Sequence, residues 1–263
     1  ALSVRRQLLF RGCLRRHRQE VASWWVPGAD ARGTVLLLHG NAGNMSHRLD
    51  YLLMFHRFGY STPLNGHATK LGLTATRTEY ALGKQFAALG ATGTGDILGL
   101  TATHPLVRSP TRNLIGALTY EDKALDDETT TPPTDSNRKI DSVRASLLGN
   151  FVDEAIGSSF NSYSVNLTHG RLKLDPTTLA LDVGATGLRT SGSFSKVNFD
   201  VLRTTFLSAA SRISAGLQGQ VASKNLTSAE KIGLGGPKGV RGYPVGEAVG
   251  DTGFILNLEY RRQ

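Results

Sequence analysis

Ile213-Ser214-Ala215-Gly216-Leu217-Gln218-Gly219-Gln220-Val221 puts apolar or small residues at every odd position and polar or small ones at every even position. A period of two sustained over such a stretch is the mark of a β-strand with two unlike faces. The same period returns in Tyr163, Val165 and Leu167, which alternate with Ser164, Asn166 and Thr168. It returns again in Phe254, Leu256, Leu258 and Tyr260 against Ile255, Asn257, Glu259 and Arg261, where only Ile255 breaks the rule. Looser versions occupy residues 70–80, 97–104, 114–120, 141–149 and 194–206. The pattern predicts about eight strands, with turns or loops such as Asp126 to Asn137 and Asp175 to Gly187, rich in Asp, Thr, Pro and Gly. The fold class expected is mainly β, an antiparallel up-and-down meander.

Alternation fits two environments. In a soluble sandwich the apolar face is the core and the polar face meets water. In a membrane barrel the apolar face meets lipid and the polar face lines a wet interior. The polar positions here are Ser, Thr, Asn, Gln and Gly with scattered charge, and the apolar ones are medium-sized aliphatics with few large aromatics. That choice of residues suits a hydrated lumen and a lipid-facing exterior, part of a transmembrane β-barrel. Several strands reach the roughly 9–11 residues that a tilted membrane strand requires.

Other classes find less support. No stretch approaches the roughly 18 consecutive apolar residues of a membrane helix. The net charge is +9, but residues 1–61 carry nine Arg against Glu20, Asp30 and Asp50, and most of these Arg lie between Arg5 and Arg18. No nucleic-acid-binding motif accompanies them, so no nucleic-acid partner is expected. Cys13 is the single cysteine, which excludes an internal disulfide and a cysteine metal site. His39, His47 and His56 are too far apart for a paired-ligand helix, and neither a metal nor a cofactor is expected. The opening residues scatter Arg through their apolar positions and lack the uninterrupted apolar region of a signal peptide. Gly93-Thr94-Gly95-Asp96 stops short of a dinucleotide fingerprint because Leu98 holds the last position.

The sharpest motif is Leu234-Gly235-Gly236-Pro237-Lys238-Gly239-Val240-Arg241-Gly242-Tyr243-Pro244. Gly235, Gly236, Gly239 and Gly242 permit a sharply turning backbone. Arg241 in a polar interior needs a carboxylate or carbonyl partner, and its planar fork suits a bidentate one. This stretch resembles the conserved loop of hemolysin-activator proteins, the outer-membrane transporters of two-partner secretion. Glu79-Tyr80, Leu89 through Thr94, His104 through Ser109, Asn161 through Tyr163, Thr168 through Gly170 and Ala222 through Leu226 resemble the same family. The resemblance runs through residues 62–263. It implies an outer-membrane pore that recognises one hemolysin- or adhesin-type secreted partner and exports it unfolded, contacting outer-membrane lipid and performing no bond-making chemistry. In that family Val240, Arg241, Gly242 and Tyr243 would tip a long loop folded into the lumen. The partner acid of Arg241 would lie on a strand beyond residue 263. The family also carries two docking domains before a barrel of about sixteen strands; this chain holds about half of those strands, and its open sheet edges are expected to make insertion poor.

Before Ser61–Thr62 the texture differs. Val35-Leu36-Leu37-Leu38 between Gly33 and Gly40 reads as a buried strand, and Leu49, Leu52, Leu53 and Phe55 predict a helix from Ser46 to Gly59. Trp24-Trp25-Val26-Pro27 and the loop His39-Gly40-Asn41-Ala42-Gly43 resemble the start of an α/β-hydrolase, whose loop supplies an oxyanion-hole donor. No G-x-S-x-G nucleophile elbow follows anywhere, so the loop is expected to be inactive and no enzyme activity is expected. The domain reading is therefore 1–61, an α/β-hydrolase-like fragment, and 62–263, a partial transporter barrel. A serine-hydrolase fragment and a soluble β-sheet binding module are the alternatives.

Overall fold

The computed structural model describes residues 12–16, 19–23, 54–64, 68–81, 90–236, 239–240, 242–243 and 248–262. The chain divides into two units, Ala1–Leu52 and Leu53–Gln263. In the first, β1 (Gly12–Arg16) pairs antiparallel with β2 (Gln19–Ser23).

The second unit is one nine-stranded sheet in the order β13-β10-β9-β8-β7-β6-β5-β4-β3. Its strands are β3 (Met54–Pro63), β4 (Lys70–Ala81), β5 (Thr92–Arg108), β6 (Arg112–Thr130), β7 (Pro133–Asp153), β8 (Ser159–Leu174), β9 (Gly192–Ser208), β10 (Ser211–Ala222) and β13 (Gly253–Arg262). Every neighbouring pair is antiparallel. This is the expected up-and-down meander. Between β10 and β13 lie a 3-10 turn (Ser228–Glu230) and a small pair, β11 (Ile232–Gly233) with β12 (Val249–Gly250). A helix, α1 (Pro176–Val183), sits between β8 and β9. No helix of the described residues is long and apolar enough to cross a membrane.

Three sequence expectations change here. Asp126 to Asn137, expected as a loop, is a strand hairpin turning at residues 131–132. The segment Asp175 to Gly187 contains α1, which Asp175 caps by accepting from the amides of Thr177 and Thr178, with Pro176 at its first turn. The helix predicted to end at Gly59 is, from Met54 onward, strand β3, paired with β4 through Phe58↔Ala75 and Tyr60↔Leu73. The boundary placed at 61–62 therefore falls inside β3. Phe58 and Tyr60, two apart, share a face and outweigh the three-and-four spacing of the leucines before them. The expected strand at 35–38 and the loop His39, Gly40, Asn41, Ala42 and Gly43 lie outside the described residues.

The register assigns each residue a face. On one face run Leu114, Leu118 and Tyr120 of β6, then Phe151, Leu147 and Val143 of β7, then Tyr163, Val165 and Leu167 of β8, closing with Phe254, Leu256, Leu258 and Tyr260 of β13. These are exposed side chains: Leu256 is 69% and Leu258 74% accessible. Toward one end this band gives way to Asp122 on β6, Asp141 and Lys139 on β7, and His169, Arg171 and Lys173 on β8. Strands of 16 to 21 residues in the centre of the sheet thus outrun the apolar band and continue as a polar rim. The connections follow the same polarity. At the apolar end they are residues 64–69, 109–111, 154–158 and 209–210; at the rim they include 82–91, 175–191 and 223–252. Apart from the two-residue turn at 131–132 the rim carries the long connections, and short turns at one end with long loops at the other are the habit of membrane barrels.

Candidate functional site: the polar face and the loop laid across it

The opposite face carries Thr101, Thr119, Arg144, Ser146, Asn166, Thr168, Lys196, Asn198, Gln218 and Gln220. Its side chains hydrogen-bond along the sheet: Thr101 Oγ1 donates to Thr119 Oγ1 at 3.2 Å, Ser146 Oγ to Asn166 Oδ1 at 2.7 Å, and Asn198 Nδ2 to Gln220 Oε1 at 2.7 Å. Near the rim this face turns apolar in one spot. Ile140, Leu172 and Phe194 are buried there with Leu125 and Leu174 beside them.

Residues 226–230 cover that spot. Leu226, 2% exposed, completes the cluster with Ile140, Leu172 and Phe194. Beside it Arg138 donates to Thr227 Oγ1 at 2.8 Å and Ser228 Oγ at 2.9 Å while also pairing with Asp127. Glu230 is the centre of the contact. Its carboxylate, 4% exposed, lies 2.8 Å from Lys123 Nζ of β6 and 2.8 Å from Lys196 Nζ of β9. Lys123 is shared with Glu121 at 3.2 Å, and Glu121 holds Arg144 at 2.6 Å. Burial alone would push the Glu230 carboxyl up, but the two ammonium groups outweigh it and hold the carboxyl below its usual range. The backbone is tied as well. Gln220 Nε2 donates to the carbonyls of Glu230 (3.1 Å) and Asp251 (2.9 Å), so one side chain grips the outgoing and returning legs. Asp251 accepts from the Leu226 amide at 2.8 Å and lies 3.5 Å from Lys231 Nζ.

The predicted loop motif forms a compact reversal. The Val240 amide donates to the Leu234 carbonyl at 2.7 Å, Gly239 to Gly236 at 3.1 Å, and Gly236 to Tyr243 at 3.0 Å. Gly242 has φ +95°, a left-handed conformation that favours glycine. At Gly239 a side chain would run into the Leu234 carbonyl. Gly235 bridges to Val240, and Val240 and Tyr243 are exposed. Arg241, Pro237 and Lys238 lie outside the described residues. Gly239 borders a cavity of about 500 Å³ on the polar face, shared with Asp200, Arg212, Gln218, Asn257 and Glu259. Glu230, Lys123, Lys196 and Leu226, which fix the loop, are not part of the sequence motif. Among the described residues no cluster of three or more His, Cys, Asp or Glu is arranged to hold a metal.

One sheet face with an exposed apolar band, the other polar and crossed by a folded-in loop, defines the wall of a transmembrane β-barrel. A soluble sheet would have buried the band. Residues 55–263 match the family of haemolysin secretion/activation proteins ShlB/FhaC/HecB, and the chain belongs to that family. The match begins at residue 55, so residues 55–61, assigned above to a hydrolase-like fragment, are transporter sequence, and the hydrolase reading gains no support. Among curated proteins the chain is similar to the heme/hemopexin transporter protein HuxB of Haemophilus influenzae, 28% identical over 205 residues, covering 78% of this chain and 36% of HuxB. HuxB of strain 86-028NP gives the same figures. The chain thus spans 36% of the length of the curated relatives it matches. Among solved structures, CdiB from Escherichia coli superposes with a TM-score of 0.55 at 16% identity, over 93% of this chain and 53% of CdiB. Members of the family are outer-membrane transporters rather than enzymes.

Proposed function

We propose that residues 54–263 form wall and inward loop of an outer-membrane pore that exports, and thereby activates, a secreted hemolysin- or adhesin-type partner protein. The observation that carries this reading is the docking of residues 226–230 on the polar face by Glu230 and Leu226, with the opposite face exposed and apolar. A ladder of Ser, Thr, Asn and Gln offers an unfolded chain many weak, exchangeable hydrogen bonds and no deep trap. The loop occupies the route when no cargo is present. Val240, Arg241, Gly242 and Tyr243 act at its tip, where the planar fork of Arg241 suits a bidentate carboxylate partner. The work is done by a polar lumen and a movable loop, without nucleotide or metal.

The test is export. Cells would produce the transporter together with a hemolysin-type partner, and the culture medium would be probed for that partner. Release that depends on the transporter and falls at least tenfold with Arg241→Ala is expected. Retention of the partner in the periplasm despite a correctly inserted transporter would contradict the proposal.

A further inference from the structure

We infer that Glu230 is a releasable latch: a positioning residue that holds the loop against the wall through Lys123 and Lys196 and lets go when the pore opens. The inference rests on reading the polar face as a lumen. Lys123 stands on β6 and Lys196 on β9, so one buried carboxylate staples the loop across the two strands between them. Lys196 binds the same residue twice, through the carboxylate and through its backbone carbonyl at 2.8 Å. Gln220 ties the returning leg beside it, so the outgoing and returning legs are held at one place on the wall.

Two features mark the joint as reversible rather than permanent. When Glu230 leaves, Lys123 keeps a carboxylate at 3.2 Å in Glu121, and Lys196 keeps the Gln220 side-chain oxygen at 3.5 Å. Neither cation is stranded without a polar partner, the condition that makes a broken buried pair so costly. The apolar half of the contact is small: Leu226 covers Ile140, Leu172 and Phe194, and its departure opens one limited apolar spot in a polar wall. A carboxylate gives the resting loop one defined position, and the wall is already equipped for its absence.

The test uses the full-length transporter in outer membranes with Cys13→Ser. Spin labels are placed at Gly233→Cys, where a side chain meets nothing within 4 Å, and at Glu154→Cys on a short turn at the far end. With Glu230 intact, pulsed electron paramagnetic resonance should give one narrow distance. Glu230→Gln should increase the displaced population at least fivefold, Glu230→Asp should restore much of the narrow component, and Lys196→Gln should fall between. An unchanged narrow distance in a folded Glu230→Gln transporter would overturn the latch. Should Glu230→Gln fail to insert, an unchanged distance in Lys196→Gln, which keeps the Lys123 contact, would overturn it equally. Export is scored in the same cells: absence of export from the unaltered transporter fails the pore reading, whereas the distances judge the latch by themselves.

Discussion

The ring of Phe194 on β9 lies directly over Gly170, its register partner on β8, so that a Cβ at 170 would sit 2.7 Å from Phe194 Cζ. Aromatic rings also cover glycines of the next strand at Tyr163 over Gly149, Phe199 over Gly219 and Tyr80 over Gly93. This gives part of the chain's 30 glycines a packing role: they are the seats that let large rings lie flat on a sheet. At Gly170 the seated ring forms the floor on which Leu226 rests.

Gly170→Ala should therefore act on the loop as well as the sheet. The added methyl lifts the Phe194 ring off its seat, an overpacking cost of about 1–3 kcal/mol. The temperature at which the folded band is lost on heating in detergent should fall. Protease cleavage within residues 223–252 should rise in parallel, since the Leu226 contact loses its floor.

The two sheet faces should respond oppositely to charge. Leu147→Arg on the apolar face of β7 should destabilise the inserted protein by about 2–4 kcal/mol if it lies near the bilayer midplane. Ser164→Arg, on the polar face of β8 beside its register partner Asp200, should cost less than about 1 kcal/mol. Urea titration of the protein folded into lipid vesicles separates the two outcomes.

Asp182 organises the loop after α1. Its carboxylate accepts from the Thr190 amide (2.9 Å), the Thr190 hydroxyl (2.8 Å) and the Ser191 amide (2.9 Å). Burial raises its carboxyl, but these donors outweigh that and hold it below the usual carboxylate value. A lowered folded-state value means the stabilisation is complete above the ordinary carboxylate range and is lost as pH falls through the lowered value. Asp182→Ala should speed hydrogen exchange of the Thr190 and Ser191 amides at neutral pH by at least tenfold. Acidification below the ordinary carboxylate range should bring the unaltered protein toward the same local opening, relative to its own intrinsic exchange rate.

At the short-turn end of the apolar face, Arg203 grips Asp153 with two parallel bonds of 2.8 and 2.9 Å and also donates to Asn161 and Ser159. Asp153→Ala should lower stability measurably, since it removes the carboxylate that takes both arms of the Arg203 fork. Vesicle unfolding curves with Asp153→Asn as the companion variant would show whether charge or hydrogen bonding carries the effect.

The strands were legible because alternation depends only on nearest neighbours, and β10 and β13 lie within two residues of their expected ends. Where local signals competed, reading failed. The leucines at 49, 52 and 53 pulled residues 54–59 toward a helix, although strand pairing with β4 decides their state. Residues 126–137, rich in Asp, Thr and Pro, have loop composition, yet strands that project beyond the apolar band meet water on both faces and tolerate it. Asp175-Pro176 signals the start of the helix α1, inside a segment whose composition otherwise reads as loop. The motif around Arg241 is a local turn and was readable as one. Its anchor was not, because Glu230 meets Lys123 across 107 residues of sequence, and only strand register brings them together.

The most direct test of the barrel-wall reading is a cysteine scan along residues 163–167 of β8 in outer membranes, one position at a time. Positions 164 and 166 should react with a water-soluble maleimide, while 163, 165 and 167 should resist it and be quenched by a lipid-phase probe. Ready reaction of the odd positions with the aqueous reagent would contradict a lipid-facing band, and with it the assignment of this sheet to the wall of an export pore.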